Sequence, residues 1–290
     1  MNSVVVTGGS GKVGRAVIRD LLDRGYRVMN VDVAPPPEPL CHFMKADLTD
    51  FGQAVEAITM AAGTVDRRRT PLGTTTGVIH MAGIPTSSIA PDTVTFQNNI
   101  MSTYNIFSAA TRAGISRVVW ASSETIYGVP MTRATPAYVP IDEDHPQVPE
   151  TGYALAKMLC ETMAEEMHRW NPHTSFMGLR ISHVFDPAEY GTIPDYWGNQ
   201  SLKKWDLWGW VDSRDAAQAC RLALESDLTG AQVFTIAAAD TAMREPNRTL
   251  LADAFPDTPI KDGLGDFETL IGIEKARRML GYAPQHTWRT

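Results

Sequence analysis

The chain has 290 residues and a net charge of −7, with 43% hydrophobic and 20% charged residues, the proportions of a globular protein and not of a disordered or fibrous one. The negative balance speaks against a nucleic-acid or anionic-membrane surface, because either demands a basic face and the one basic run is Arg67-Arg68-Arg69. No apolar run approaches the ~20 residues of a membrane span, and the first residues carry neither the basic flank nor the apolar core of a signal peptide, so the expected location is the cytoplasm.

Short apolar runs alternate with amphipathic stretches along the first half. Strands are predicted at 3–7, 27–32, 42–45, 78–81 and 117–122; their near-continuous apolar character fits a parallel sheet covered on both faces. A helix from about Lys12 to Arg24 has Val13, Val17 and Leu21 on one face and stops at Gly25. A second follows Asp92 as its cap, with Phe96, Ile100, Thr103, Phe107 and Ala110 as its stripe. A third contains Tyr153 and Lys157, with Leu155, Leu159, Met163 and Met167 read as the buried stripe, and it ends near Asn171-Pro172. A strand at 175–181, a helix at about 214–224 and a strand at 232–237 continue the sheet. Between them, Pro187, Gly191, Pro194 and Gly198 break regularity while Trp197, Trp205, Trp208 and Trp210 crowd a lid region. The tryptophans are read as lid packing before ligand contact. The expected fold is α/β: a Rossmann doubly wound parallel sheet with helices on both faces and a small discontinuous C-terminal substrate-binding cap. Residues 1–180, rejoined by about 211–237, form the dinucleotide-binding part, and 181–210 with 238–290 form the cap.

Two clusters carry chemistry. Gly8, Gly11 and Gly14, in Thr7-Gly8-Gly9-Ser10-Gly11-Lys12-Val13-Gly14, join a strand to a helix, where glycines permit a tight turn, backbone approach to a pyrophosphate and close helix–strand packing. Asp32 ends the second strand, where a carboxylate accepts from the adenosine ribose hydroxyls and repels a 2′-phosphate, which favours NAD over NADP. Tyr153 and Lys157 lie four apart, hence on one helix face, where an ammonium favours the phenolate and makes tyrosine a proton acceptor. A carbinol loses hydride only as its hydroxyl proton is removed, so Tyr153 is the expected base and Ser123, at the fifth strand's end, the group that orients the substrate oxygen. Cys41, Cys160 and Cys220 are widely spaced with no Cys-x-x-Cys, and no metal site is expected.

These segments, with Asp47-Leu48, His80-Met81-Ala82-Gly83, Asn99, Ser122-Ser123-Glu124-Thr125-Ile126-Tyr127-Gly128 and Tyr153 through Lys157, resemble the extended short-chain dehydrogenase/reductase group, the family of NAD-dependent epimerases and dehydratases. The resemblance covers nearly the whole chain. It implies that Lys12, Val13, Asp47, Leu48, Ala82, Gly83 and Asn99 belong to the cofactor cleft with the glycines and Asp32, that Ser123, Tyr153 and Lys157 are catalytic, and that Pro85, Ser123, Glu124, Ser182 and His183 meet the substrate. It also implies a homodimer through the helices of Asn99 and Tyr153. The dehydratase branch carries a carboxylate pair after the fifth strand; here Glu124 is followed by Thr125, which disfavours elimination. His183 stands where nucleotide-sugar enzymes of the family have asparagine, and the chain ends soon after the cap helix, so a smaller substrate is expected. The uronate dehydrogenase branch is the nearest small-substrate analogy; its lid arginine has no clear equivalent, with Lys203 or Lys204 as the candidate point charges in its place. The expected function is NAD-dependent oxidation of a hydroxyl on a small sugar or sugar acid. The competing readings are a nucleotide-sugar 4-epimerase that retains its NAD and a non-catalytic NAD-binding module.

Overall fold

The computed structural model describes residues 3–59 and 75–289; the Arg67-Arg68-Arg69 run lies outside them. In chain order the elements are β1 (Ser3–Thr7), α1 (Lys12–Asp23), β2 (Arg27–Asp32), β3 (His42–Lys45), α2 (Phe51–Thr59), β4 (Thr75–His80), α3 (Asp92–Arg112), β5 (Arg117–Ser123), α4 (Gly152–Trp170), β6 (Ser175–Ile181), β7 (Val184–Phe185), β8 (Val211–Asp212), α5 (Ser213–Glu225), β9 (Ala231–Ile236), α6 (Asn247–Ala254) and α7 (Glu274–Leu280). Seven strands form one parallel sheet in the order β3-β2-β1-β4-β5-β6-β9. The chain starts at β1, winds outward to β3 and returns to β4 on the other side of β1. That reversal parts the loops after β1 and β4 and leaves a crevice at the carboxyl ends of the strands.

Strand side chains alternate between two cores, as a pleated strand buried on both faces requires. Val4 and Val6 pack with Val17 and Leu21 of α1 and with Ala216 and Cys220 of α5. Val5 faces the other way, with Ala54 of α2, Ile106 and Phe107 of α3 and Cys160 of α4. The expected doubly wound sheet is the observed one. The cap does not stand apart from it: Leu207, Trp208, Leu250, Ile271 and Leu280 belong to the same core as Val4 and Ile79. A small satellite of Phe185, Ile193, Trp210, Ala238 and Ala242 sits under residues 187–196, which form a 3₁₀ segment. Trp208 and Trp210 are fully buried, and Trp197 packs on Trp288 at 5.0 Å, so these rings build the cap; Trp205 alone of the four borders the cleft.

Two helical details differ from expectation. Asp92 is the first residue of α3, with Pro91 in the cap position, so its carboxylate meets the positive helix end from inside the first turn. In α4 the buried face is Ala154, Ala156, Lys157, Cys160, Glu161, Ala164 and Met167, whereas Leu155 and Leu159 are 39% and 38% exposed. The large apolar residues drew the predicted stripe, but α3 and the sheet approach this helix closely and leave room mainly for alanine. Thr151 caps α4 by accepting from the Ala154 amide at 3.1 Å. Among the described residues no helix is long and apolar enough to cross a membrane.

Candidate active site

A cleft of about 1110 Å³ runs along the carboxyl ends of β1, β2, β4, β5 and β6. One end is built by the glycine turn. Gly8 has φ +67, and a Cβ there would lie 2.5 Å from the Ala82 amide nitrogen; a Cβ on Gly14 would press into the Gly8 carbonyl. Only glycine lets the β1 turn meet the β4 loop and lets α1 start against it, so the α1 amides face the cleft without side chains before them. Asp32 accepts from the Ser10 amide at 3.1 Å and the Ala34 amide at 3.3 Å, which fixes its carboxylate at the rim beside that turn. Asp47 accepts from the Thr49 amide and hydroxyl, bonds that hold it below the usual carboxylate range. Asn105 donates to the Leu48 and Thr49 carbonyls and braces the same loop. Val13, Asp47, Leu48, Ala82 and Gly83 all line the cleft. These features fit a dinucleotide: a side-chain-free cradle at a helix start and an acid at the end of β2.

Two expected cofactor residues sit differently. Asn99 is buried behind the wall, accepting from the Ile84 amide at 2.8 Å and donating to the Ile84 carbonyl at 2.9 Å. It positions the loop of Gly83 without facing the cleft. Lys12 turns across the cleft mouth and donates to Glu189 at 2.6 Å and to the Val184 carbonyl at 3.0 Å, clasping the glycine turn to the cap.

At the centre of the cleft Ser123, Tyr153 and Lys157 line one wall. Lys157 is buried, donates to the Ala121 carbonyl at 2.6 Å and lies 5.7 Å from the centre of the Tyr153 ring. Ser123 Oγ accepts from the Thr125 amide at 3.2 Å and its hydroxyl at 3.0 Å, which leaves the serine proton to be donated into the cleft. Thr125, standing where a second carboxylate would serve elimination, is thus committed to holding Ser123. Behind the wall His80 shares hydrogen bonds with Thr7 at 2.6 Å and Thr103 at 3.2 Å. Burial, assisted by the Lys157 charge, pushes its pKa down to about 3, so it is a neutral spacer under the lysine. Beneath β5, Glu161 accepts from Ser122 at 2.6 Å and takes Arg180 bidentately at 2.9 and 2.7 Å, while Arg180 also donates to Tyr127 at 2.8 Å. This buried network joins the strand end of Ser123, the helix of Tyr153 and β6.

The far end is lined by Pro85, Glu124, Ser182, His183 and Trp205. Glu124 is 4% exposed, with its Oε2 and the Ser182 Oγ both buried and close to one another. Burial first, then the nearby Asp206 charge, pushes its carboxyl up to about 8; Ser182, Lys203 and the His183 backbone oppose this. Lys203 does not reach the cleft as a substrate cation. It is fully buried, paired with Asp206, donates to the Gly209 carbonyl at 2.7 Å and is surrounded by the rings of Phe185, Tyr196 and Trp205. Lys204 is exposed and lies outside the cleft lining. Asp206 and the inward turn of Lys203 went unread in the sequence; the i, i+3 spacing of the pair was their one signal.

Sheet, glycine cradle and tyrosine–lysine wall together define a dinucleotide-dependent enzyme of the Rossmann class. The sequence profile of the NAD dependent epimerase/dehydratase family matches residues 4–237, and the chain belongs to that family. Among curated relatives, the UDP-glucose 4-epimerase of Bacillus subtilis (strain 168) is 27% identical over 205 residues, 66% of this chain and 55% of that protein. The chain thus spans about half the length of such relatives. Among solved structures, a mutated uronate dehydrogenase superposes with a TM-score of 0.68 at 21% identity, covering 99% of this chain and 82% of the other. A short-chain dehydrogenase/reductase superfamily protein from Agrobacterium tumefaciens, with bound NAD, gives 0.72 at 23% identity, covering 99% and 94%. Both share the fold. As the family is NAD dependent, NAD is the cofactor, and the Asp32 rim agrees with it.

Proposed function

We propose that the protein is an NAD-dependent dehydrogenase that oxidises a hydroxyl of a small sugar or sugar acid and releases NADH. The observation that carries this reading is the meeting of Ser123, Tyr153 and Lys157 on one wall of the cleft whose other end is the glycine cradle. Bound NAD supplies the hydride acceptor. Ser123 donates its hydroxyl proton to the substrate oxygen and fixes its direction, because both Thr125 contacts occupy the serine as acceptor. Tyr153 takes the substrate hydroxyl proton through its phenolic oxygen. Lys157 supplies positive charge beside that phenol and, held by the Ala121 carbonyl, keeps a donor for the nicotinamide ribose. Gly8, Gly11 and Gly14 would receive the pyrophosphate, Asp32 the adenosine ribose, and Asp47 and Leu48 the adenine. Elimination is disfavoured, since Thr125 holds Ser123 instead of offering a base.

A second reading, a nucleotide-sugar 4-epimerase, is favoured by the name of the Bacillus subtilis relative. The two part on the fate of the cofactor. A dehydrogenase given NAD and free aldoses, uronic acids and polyols accumulates NADH at its absorbance band; an epimerase isomerises a nucleotide sugar with no net NADH, and that result would replace the first reading.

The homodimer reading is supported by the apolar side chains that α3 and α4 leave in solvent: Val94, Met101 and Tyr104 on one, Leu155 and Leu159 on the other. Sedimentation at micromolar concentration is expected to give twice the chain mass, and Leu159→Glu to give the monomer; a monomeric parent protein contradicts the assignment.

A further inference from the structure

Lys12 is the first residue of α1, directly after the glycine turn, yet its side chain reaches to the other side of the cleft. Its Nζ donates to the Val184 carbonyl at 3.0 Å and to both Glu189 oxygens, at 2.9 and 2.6 Å. These partners follow β6, and in the sheet β1 is separated from β6 by β4 and β5. A side chain that ties the start of α1 to the segment after β6 therefore crosses the crevice above the strands between them, and Lys12 and Val184 both line the cleft there. Arg15 makes the same crossing more loosely: it donates to the Ser10 carbonyl at 3.0 Å and meets Asp186 at 3.5 Å. The two ends of the lysine bridge differ in stiffness. At the far end the Glu189 carboxylate accepts from the Asp186 amide at 2.7 Å. Its 3₁₀ segment is pinned from behind by Tyr190, which donates to Asp212 at 2.5 Å, by the buried Ile193, and by Trp197, which donates to the Ala242 carbonyl at 3.1 Å and packs on Trp288. The near end is a flexible four-carbon stem whose side chain is 36% exposed. The part free to move is the lysine.

We propose that the Lys12 side chain is a swinging bar across the cofactor cleft, with Glu189 and the Val184 carbonyl as its catch, and that its release sets the rate at which NAD and NADH enter and leave. The inference rests on NAD binding alone and holds whichever reaction follows. A dinucleotide that reaches from the glycine cradle to the wall of Tyr153 and Lys157 occupies the crevice that the bar crosses. The ammonium has three donors and three acceptor oxygens around it, so while the bar is shut none is left for a pyrophosphate. Lys12 therefore acts on the cofactor by blocking its path, and the cradle of backbone amides does the binding. The catch is modest in strength, because both partners are partly exposed, at 36% and 43% of their side chains, and salt screens them. A strong catch would imprison the cofactor; a weak one that reforms quickly slows exchange without preventing it.

A gate and a binding group differ in kinetics. Removing a gate speeds entry and exit by the same factor and leaves Kd in place, whereas removing a group that holds the cofactor weakens Kd through exit alone. Glu189→Gln keeps an acceptor oxygen for the Asp186 amide and removes the charge that holds the ammonium. Stopped-flow mixing with NADH, followed by its fluorescence, is expected to show association and dissociation both about two- to fivefold faster in this variant, the range for loss of a partly exposed ion pair, with Kd unchanged. Lys12→Met keeps most of the stem and loses all three contacts, and should show the same signature at larger size. Raising the ionic strength is expected to speed both rates more in the parent protein than in Glu189→Gln, which has no pair to screen. Tighter NADH binding with slower exit in Glu189→Gln would mean that Glu189 competes with the pyrophosphate for Lys12, and would overturn the gate. A Kd weakened through exit alone in Lys12→Met overturns it as well, and so do rates equal to those of the parent protein in both variants.

Discussion

Replacing Tyr153 by phenylalanine is expected to lower turnover by about 10²–10⁴-fold, the usual contribution of a positioned acid–base group, while NAD affinity changes by less than about threefold. The ring remains and keeps its place beside Lys157; only the phenolic oxygen goes, and with it the acceptor for the substrate proton. Ser123 cannot take over. Its oxygen already accepts twice from Thr125, and a serine hydroxyl gives up its own proton far too reluctantly to act as a base in its place. His80 cannot take over either, since both its ring nitrogens are tied to threonine hydroxyls inside the sheet. The matched pair of measurements is steady-state turnover and NAD titration of the variant. Undiminished turnover would remove Tyr153 from the reaction, and a large loss of NAD affinity would make its role one of cofactor binding.

Truncating Glu161 to alanine is expected to destabilise the protein by about 3–5 kcal/mol, because it strands a buried guanidinium. Arg180 is 1% exposed and spends two nitrogens on Glu161, with Tyr127 as its other side-chain partner. Without the carboxylate the charge stays in the core with one phenol and a backbone carbonyl, and Ser122 loses its acceptor as well. Replacing both partners by apolar residues of similar volume should cost less than the single change, since desolvation of the pair offsets much of its attraction. Denaturant unfolding of Glu161→Ala and of the double variant Glu161→Leu, Arg180→Met checks this. A loss below about 1 kcal/mol for the single change, as for an exposed pair, would contradict the account. The network lies directly beneath Ser123 and joins the helix of Tyr153 to β6, so a milder Glu161→Gln is expected to disturb catalysis before it disturbs folding.

The sheet and its cofactor end were readable from the chain because their signals are local. Each glycine of the β1 turn is dictated by atoms a few residues away or in the next strand, and the apolar runs carry their own period. The wall of Ser123, Tyr153 and Lys157 was readable for the same reason, since one helical spacing and one strand end define it. The far end was readable in part. The resemblance expected Pro85, Glu124, Ser182 and His183 at the substrate, and all four line the cleft, but the charges behind them are distant in sequence: Asp206 is folded against Glu124, and Lys203, read as a candidate substrate cation, is enclosed by three rings and Asp206. The stripe of α4 misled because side-chain size in the sequence says nothing of how closely α3 approaches, and it is Ala154, Ala156 and Ala164 that fit there. Asn99 lay in the right place with a different task, bonding the Ile84 backbone from behind the cleft wall.

The most direct test of the central claim follows one hydrogen. With a free sugar deuterated at the carbon to be oxidised, the dehydrogenase account predicts that the deuterium appears in free NADH, in step with the rise in absorbance and with no label returned to the sugar. Deuterium kept in an isomerised sugar while the cofactor stays on the protein and no NADH accumulates would contradict that account and assign the same tyrosine to an epimerase.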